Sequence, residues 1–257
     1  MNVLSMFDLK GEKAIVTGGG QGLGREMALA LAEAGADVAV VQRRVEVSEQ
    51  TAEEIRKLGR DSFAMKVDVS KAEDVKNMVA AAKDRFGKID ILINNAGIAH
   101  HIPAEDITEE DWDTMIDIDL KGVFLGSQMV GREMIKQRKG SIINIASMSG
   151  FIVNHPQQQV HYNTAKAGIV MLTKGLAVEW AKYNIRVNAI APGYIKTPLL
   201  AQDLGPGKIG EEWVKLTPMG RLGEPFELKG LALFLASKAS SFMTGSTIVI
   251  DGGYTCW

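Results

Sequence analysis

Short runs of apolar, largely β-branched residues alternate along this chain with longer stretches in which apolar positions recur every three or four residues. The short runs are too brief for helices and show little polar alternation, the pattern of strands buried on both faces. They fall at Lys13 to Thr17, Asp37 to Val41, Ser62 to Val67, Ile89 to Asn94, Ser141 to Ala146, Arg186 to Ala191 and Thr247 to Asp251. Helical stretches occupy Leu23 to Ala34, Val47 to Leu58, Lys71 to Phe86, Glu109 to Arg138, Val160 to Tyr183 and Pro225 to Ser237, the fourth with a junction expected near Asp117 to Asp119. Ser70-x-x-Glu73 and Thr108-x-x-Asp111 read as capping boxes that start two of these helices.

Strand and helix in regular alternation predict an α/β fold, a single-domain Rossmann-type doubly wound parallel sheet of about seven strands with helices on both faces. A chain of 257 residues can bury such a core in one domain, and no linker, repeat or low-complexity tract divides it. The net charge of −2 offers no basic field for a polyanion, which argues against nucleic acid as a partner. Met1 to Lys13 lacks a continuous apolar h-region and no run of 18 apolar residues occurs, so neither a membrane span nor a targeting segment is expected. The single cysteine, Cys256, forms no internal disulfide and fits a reducing, cytoplasmic location.

The chemistry begins at Thr17-Gly18-Gly19-Gly20-Gln21-Gly22-Leu23-Gly24, between the first strand and first helix. A pyrophosphate needs bare N–H groups at a helix N-terminus, and residues without Cβ, here Gly18, Gly22 and Gly24, allow that approach. A glycine cluster also suits any tight strand-to-helix turn, so context must decide. The second strand runs out into Gln42-Arg43-Arg44, where a carboxylate would accept from an adenosine 2′-hydroxyl and an arginine would pair with a 2′-phosphate. With no acid and two guanidiniums, NADP(H) is favoured over NAD(H), the bland alternative being two solvated arginines. Asp68-Val69 and Asn94-Asn95-Ala96-Gly97 end the third and fourth strands, where a cofactor would run, although both sequences also suit turns.

Tyr162 and Lys166 are four residues apart in a helical stretch and so share one face. A neighbouring ammonium stabilises a phenolate, and a tyrosine so placed can serve as an acid or base. Ser147, at the end of the fifth strand, could hold a carbonyl or alkoxide oxygen while Tyr162 moves the proton.

Thr17-Gly18-x-x-x-Gly22-x-Gly24, Asn94-Asn95-Ala96-Gly97, Ser147, Tyr162-x-x-x-Lys166 and Pro192-Gly193-x-x-x-Thr197 occur in the order found in the classical short-chain dehydrogenases/reductases, which the whole chain resembles. The resemblance implies that Tyr162 is the acid/base, that Lys166 lowers its pKa and binds the nicotinamide ribose, and that Ser147 orients the substrate oxygen. It also implies that Ile195 and Thr197 contact the carboxamide and that the protein is a homotetramer. Gly18, Gly20, Gln21, Gly22, Leu23, Gly24, Gln42, Arg43, Arg44, Asp68, Val69, Asn95, Ala96, Gly97, Pro192 and Gly193 complete the expected cofactor set. One position departs from the family: an asparagine that joins a water-mediated proton relay to the lysine is replaced by Asp119. The carboxylate is nearly isosteric but cannot donate as an amide can.

Between Ser147 and Tyr162 the loop is rich in amides and imidazoles, as a polyhydroxylated substrate would want, and Asn154 and Gln159 are its candidate substrate residues. This loop and Asp251-Gly252-Gly253-Tyr254-Thr255 resemble the branch of mannitol, sorbitol and xylulose reductases. The glycine-punctuated segment from Pro198 to Pro218 is expected to be a substrate lid. The four histidines have no zinc-site spacing, and no metal is expected. An NADP(H)-linked ketose or polyol oxidoreductase is thus the leading expectation. A 3-oxoacyl carrier-protein reductase would share every cofactor and catalytic motif, and a catalytically silent dinucleotide-binding regulator would need only the cofactor half.

Overall fold

The computed structural model describes residues 2–257. Seven parallel strands form one sheet: β1 (Lys13–Thr17), β2 (Asp37–Gln42), β3 (Ser62–Lys66), β4 (Ile91–Asn94), β5 (Gly140–Ile145), β6 (Ile185–Pro192) and β7 (Thr247–Ile250), in the order 3-2-1-4-5-6-7. The helices are α1 (Gly22–Glu33), α2 (Val45–Lys57), α3 (Ala72–Phe86), α4 (Glu109–Ile116), α5 (Gly122–Gln137), α6 (Val160–Trp180), α7 (Gly210–Leu216) and α8 (Lys229–Ala236). Strand order reverses between β1 and β4, and it is outside the carboxyl ends of strands at such a reversal that a crevice opens.

The absence of polar alternation in the central strands has a direct cause. Successive side chains point to opposite faces, and both faces are covered. Ala14, Val16, Val38, Val40, Ile91 and Ile93 pack into one core layer with Met27 and Leu31 of α1 and Leu235 of α8. Ile15, Ala39, Val41, Leu92 and Ile142 pack into the other with Met78 of α3, Val130 of α5 and Leu176 of α6. The edge strands β3 and β7 are only half-buried.

Within the second layer lies a small polar ladder. Asn94 and Asn144 are register partners on β4 and β5, and the Asn94 amide donates to Asn144 Oδ1 and to Ser127 Oγ of α5, both at 2.9 Å. Asn144 in turn donates to Thr173 Oγ1 of α6 at 3.0 Å. All four residues are buried, so the ladder fixes two helices to two strands by directional bonds where apolar contact alone would leave their register softer.

Three expectations are revised at element ends. Ile89 lies outside β4, because its N–H and carbonyl are taken by the Gln137 amide at 3.2 and 2.8 Å in place of a strand neighbour. Ser70 does not cap α3: its N–H and hydroxyl both bind Asp68 Oδ1, and the helix starts after Lys71 without a side-chain cap. The stretch expected as one helix from Pro225 opens with a 3₁₀ turn, Pro225–Leu228, before α8. The capping box at Thr108 and Asp111 is present, and the junction near Asp117 to Asp119 is a single π-helical turn, Asp117–Lys121, joining α4 to α5. No helix among the described residues is long and apolar enough to cross a membrane.

Candidate active site

A cavity of about 1630 Å³ lies along the carboxyl ends of the strands, running from Arg43 and Arg44 at one end to Trp213 at the other. It exceeds the volume that a drug-sized ligand alone needs, leaving room for a dinucleotide and a small substrate together.

The glycine loop forms its first wall. Gly18 and Gly22 have φ of 63° and 53°, and a Cβ at Gly18 would stand 2.8 Å from the Asn95 amide nitrogen. Gly18, Gln21, Gly22 and Leu23 line the cavity. Gly20 and Gly24 do not; they shape the loop from behind. Gly20 donates to Gln42 Oε1 at 3.2 Å, and a Cβ at Gly24 would fall 2.2 Å from the Gly18 carbonyl oxygen. The first N–H groups of α1 have no intrahelical partner, so loop and helix together suit a phosphate.

The floor beside this loop is held from below by one hydroxyl. Thr17 Oγ1 accepts the backbone N–H groups of Asn95 and Ala96 at 3.0 and 3.1 Å and donates to the Ile93 carbonyl at 3.4 Å. The Asn95 amide then donates to the carbonyls of Thr17 and Gly18, both at 3.1 Å. Asn95, Ala96 and Gly97 thereby face the cavity.

At the adenosine end Gln42 is spent on structure, accepting from Gly20 and donating to the Arg44 carbonyl at 3.0 Å. Arg44 donates to Gln21 Oε1 at 3.1 Å, and the Arg43 side chain makes no hydrogen bond among the described residues. Two cations that the sequence reading overlooked join them on the cavity wall, Lys66 and Lys71. Lys66 is the register partner of Gln42, so aligning the ends of β2 and β3 is the signal that would have found it. Asp68 and Val69 line the same end. Burial works to raise the Asp68 pKa, but its bonds from Ser70 and the nearby Arg43 and Lys71 outweigh that and hold it below the usual carboxylate range.

The catalytic candidates meet at the middle of the cavity. Tyr162 and Lys166 project from the first turns of α6, and Ser147 follows β5. Lys166 Nζ lies 5.4 Å from the centre of the Tyr162 ring and donates to the Ile145 carbonyl at 3.2 Å. Ser147 Oγ bonds Ser149 Oγ at 3.0 Å and accepts the Ser149 N–H at 3.1 Å, which sets its position. Burial raises the Tyr162 pKa; the Lys166 ammonium lowers it, Asp119 raises it, Ser147 lowers it, and the net direction is upward. Asp119 sits behind this group, fully buried in the π turn, with Oδ2 3.0 Å from Lys166 Nζ. Pro192, Gly193, Ile195 and Thr197 line the cavity between the two halves.

The amide-rich loop forms the far wall, but its amides largely satisfy one another. Gln159 donates to Asn154 Oδ1 at 3.0 Å and to Asn163 Oδ1 at 3.1 Å. Asn154 and Gln157 both donate to the Tyr194 hydroxyl, at 3.0 and 2.6 Å, while the Trp213 indole N–H donates to Gln157 Oε1 at 3.0 Å. Trp213 and Tyr194 stack at 4.1 Å, and Tyr254 meets Tyr194 edge-on. Asn154 and Gln159 therefore line the cavity as parts of a braced wall, each with limited capacity left for a ligand. Gln157, Tyr194 and Trp213 belong to that wall too, and no local pattern marks them, since α7 brings Trp213 to Gln157 from 56 residues away.

A family model described as enoyl-(acyl carrier protein) reductase matches residues 18–255. The chain is 44% identical to a galactitol 2-dehydrogenase from Rhizobium johnstonii, with 100% of both chains covered. It is also 44% identical to an NADP-dependent mannitol dehydrogenase from Hypocrea jecorina, covering 98% of this chain and 96% of that one. The crystal structure of a short-chain type dehydrogenase/reductase from Mycobacterium marinum matches with a TM-score of 0.97 at 45% identity, over 100% of both chains.

Proposed function

The chain belongs to the classical short-chain dehydrogenases/reductases, NAD(P)-dependent enzymes that act on CH–OH groups, and on that premise we propose that it interconverts a ketose, or another polyhydroxylated ketone, and the corresponding sugar alcohol with NADP(H). The observation that carries this reading is the Tyr162–Lys166 pair on α6 opening onto a cavity whose opposite wall is built of amides and hydroxyls. The similarity to galactitol and mannitol dehydrogenases supports the substrate class.

The bound cofactor would supply or accept the hydride at its nicotinamide ring. The chain's own residues do the rest. Ser147 holds the substrate oxygen, Tyr162 gives it a proton in reduction and takes one in oxidation, and Lys166 binds the nicotinamide ribose while restraining the charge on the phenol. Ile195 and Thr197 hold the carboxamide, and Gly18, Gln21, Gly22 and Leu23 hold the pyrophosphate. Arg43 and Arg44, with Lys66 beside them, take the 2′-phosphate, which two planar guanidiniums can clamp and a solvated carboxylate would repel. The segment 198–218, carrying a 3₁₀ turn and α7, acts as the lid of a single catalytic domain. The exposed side chains of Met171, Val178 and Phe242 favour self-association, with a homotetramer as the proposed state. A lone, unpaired Cys256 suits the reducing cytoplasm.

The second reading is a 3-oxoacyl carrier-protein reductase, supported by the acyl carrier protein in the description of the matching family. One absorbance assay separates the two. With NADPH, fructose, sorbose or xylulose should be reduced faster than a ketone of similar length without hydroxyls, and Tyr162→Phe should abolish turnover while NADPH still binds. Acyl thioesters outperforming every ketose would overturn the polyol reading in favour of the second. Silence across sugars, thioesters and simple diketones would overturn both and leave a dinucleotide-binding regulator.

A further inference from the structure

Asp119 is a fully buried acid with one charged neighbour in contact. The π turn between α4 and α5 points it inward, its Oδ1 accepts the Ile98 N–H at 2.8 Å, and its Oδ2 stands 3.0 Å from Lys166 Nζ. Gly97 leaves the space it occupies, since a Cβ there would be 3.0 Å from Oδ2. Lys166 is itself only 6% exposed in its side chain and is held on a second side by the Ile145 carbonyl. The other titratable groups that face the pair are Tyr162 and His161 of α6 and His100 of the segment after β4. His161 is buried, neither ring nitrogen is hydrogen-bonded among the described residues, and burial lowers its pKa. His100 is exposed.

An isolated ammonium beside a phenol acts as a single charge, whose influence falls off as the inverse of distance. An ammonium held 3.0 Å from a carboxylate acts on its neighbours as a dipole, which falls off faster and stabilises a phenolate less. We propose that the Asp119 carboxylate is a positioning residue that fixes the Lys166 ammonium against Ile145 and offsets its charge, so that Tyr162 keeps its proton and the site is set for carbonyl reduction. Burial works to lower the Lys166 pKa, and the Asp119 carboxylate is the first of the groups that carry it above the ordinary lysine value. Burial holds the Asp119 pKa above the ordinary carboxylate range, and Lys166 and the Ile98 N–H offset only part of that rise, so the carboxylate depends on the ammonium beside it. A neutral amide at 119 would fill the same space and hold Lys166 less firmly, but it would restore the full ammonium charge to Tyr162.

The inference rests on Tyr162 being the acid/base, but its test needs no substrate. Phenolate absorbance is titrated in the cofactor-free protein and the Tyr162→Phe signal is subtracted, which isolates the one phenol. In Asp119→Asn the midpoint should move to lower pH, and the pH at which alcohol oxidation reaches its plateau should move the same way; a purely structural role would lower rates without moving either. An unchanged midpoint in a folded Asp119→Asn overturns the proposal. Should that variant not fold, Asp119→Ser takes its place, with the same expected shift to lower pH and the same refutation by an unchanged midpoint. A protein that titrates as expected yet reduces no ketose would refute the substrate reading alone.

Discussion

Removing a single hydroxyl at Thr17 should loosen the floor of the cofactor cavity. Thr17→Val is close to isosteric, sits in the central strand β1 and preserves the β-branched shape, so nothing but the hydrogen bonding changes. The hydroxyl, 2% exposed with its residue, is the acceptor for two backbone N–H groups, those of Asn95 and Ala96. Leaving each without a partner costs about 1–3 kcal/mol, or about 2–6 kcal/mol for the two. The extra methyl returns roughly 0.8 kcal/mol by burial. A net loss of at least about 1 kcal/mol remains even at the low end of that range. Thr17→Ser is the matched control, because it keeps the acceptor and removes only a methyl, at roughly 0.5–1.5 kcal/mol. Urea unfolding should therefore rank wild type above serine and serine above valine, and fluorescence titration should show weaker NADPH binding in the valine variant. Hydrophobicity and strand propensity alone give the opposite order for serine and valine. A valine variant as stable as wild type would refute the reasoning.

Two further outcomes follow from the same geometry. Arg43→Ala should weaken NADPH about tenfold or more while leaving NADH nearly unchanged, since a charge-assisted bond to a desolvated phosphate is worth roughly 1.5–3 kcal/mol; dissociation constants that rise equally for both cofactors would refute the phosphate assignment. Gln157→Ala removes the acceptor of the Trp213 indole and one of the two donors to Tyr194, so KM for ketoses should rise several-fold with the NADPH dissociation constant unchanged; an effect on cofactor binding alone would show that the amide wall does not brace the substrate end.

The sheet and the α6 pair were readable because their signals are local and redundant. Strands such as Asp37–Gln42 are apolar at every buried position, and Tyr162 with Lys166 needs only helical spacing. What escaped the reading depends on partners distant in the chain. Ile89 looks like strand until the Gln137 amide, 48 residues on, takes both its backbone groups. Ser70 has the spacing of a cap, but Asp68 binds it first. The amides of the loop before α6 are visible as composition, and their capacity to bind hydroxyls looked intact. Tyr194 and Trp213, brought in from elsewhere, use much of it. Asp119 was recognisable as a departure from its family, whereas the direction in which the π turn aims it was not.

The polar ladder of Asn94, Ser127, Asn144 and Thr173 works like a dowel through laminated wood. It pins β4, β5, α5 and α6 below the active site, and the segments that carry Asn95 to Gly97, Ser147 and the Tyr162–Lys166 pair all rise from those pinned pieces. The far wall of the cavity is braced by the bonds joining the loop before α6 to Tyr194 and Trp213, and it is tied to the frame where Gln159 donates to Asn163 Oδ1 of α6. Frame and wall meet at α6 and otherwise carry separate bonds, so changes at Gln157, Tyr194 or Trp213 can reshape the far end of the cavity while the pinned strands and helices stay put.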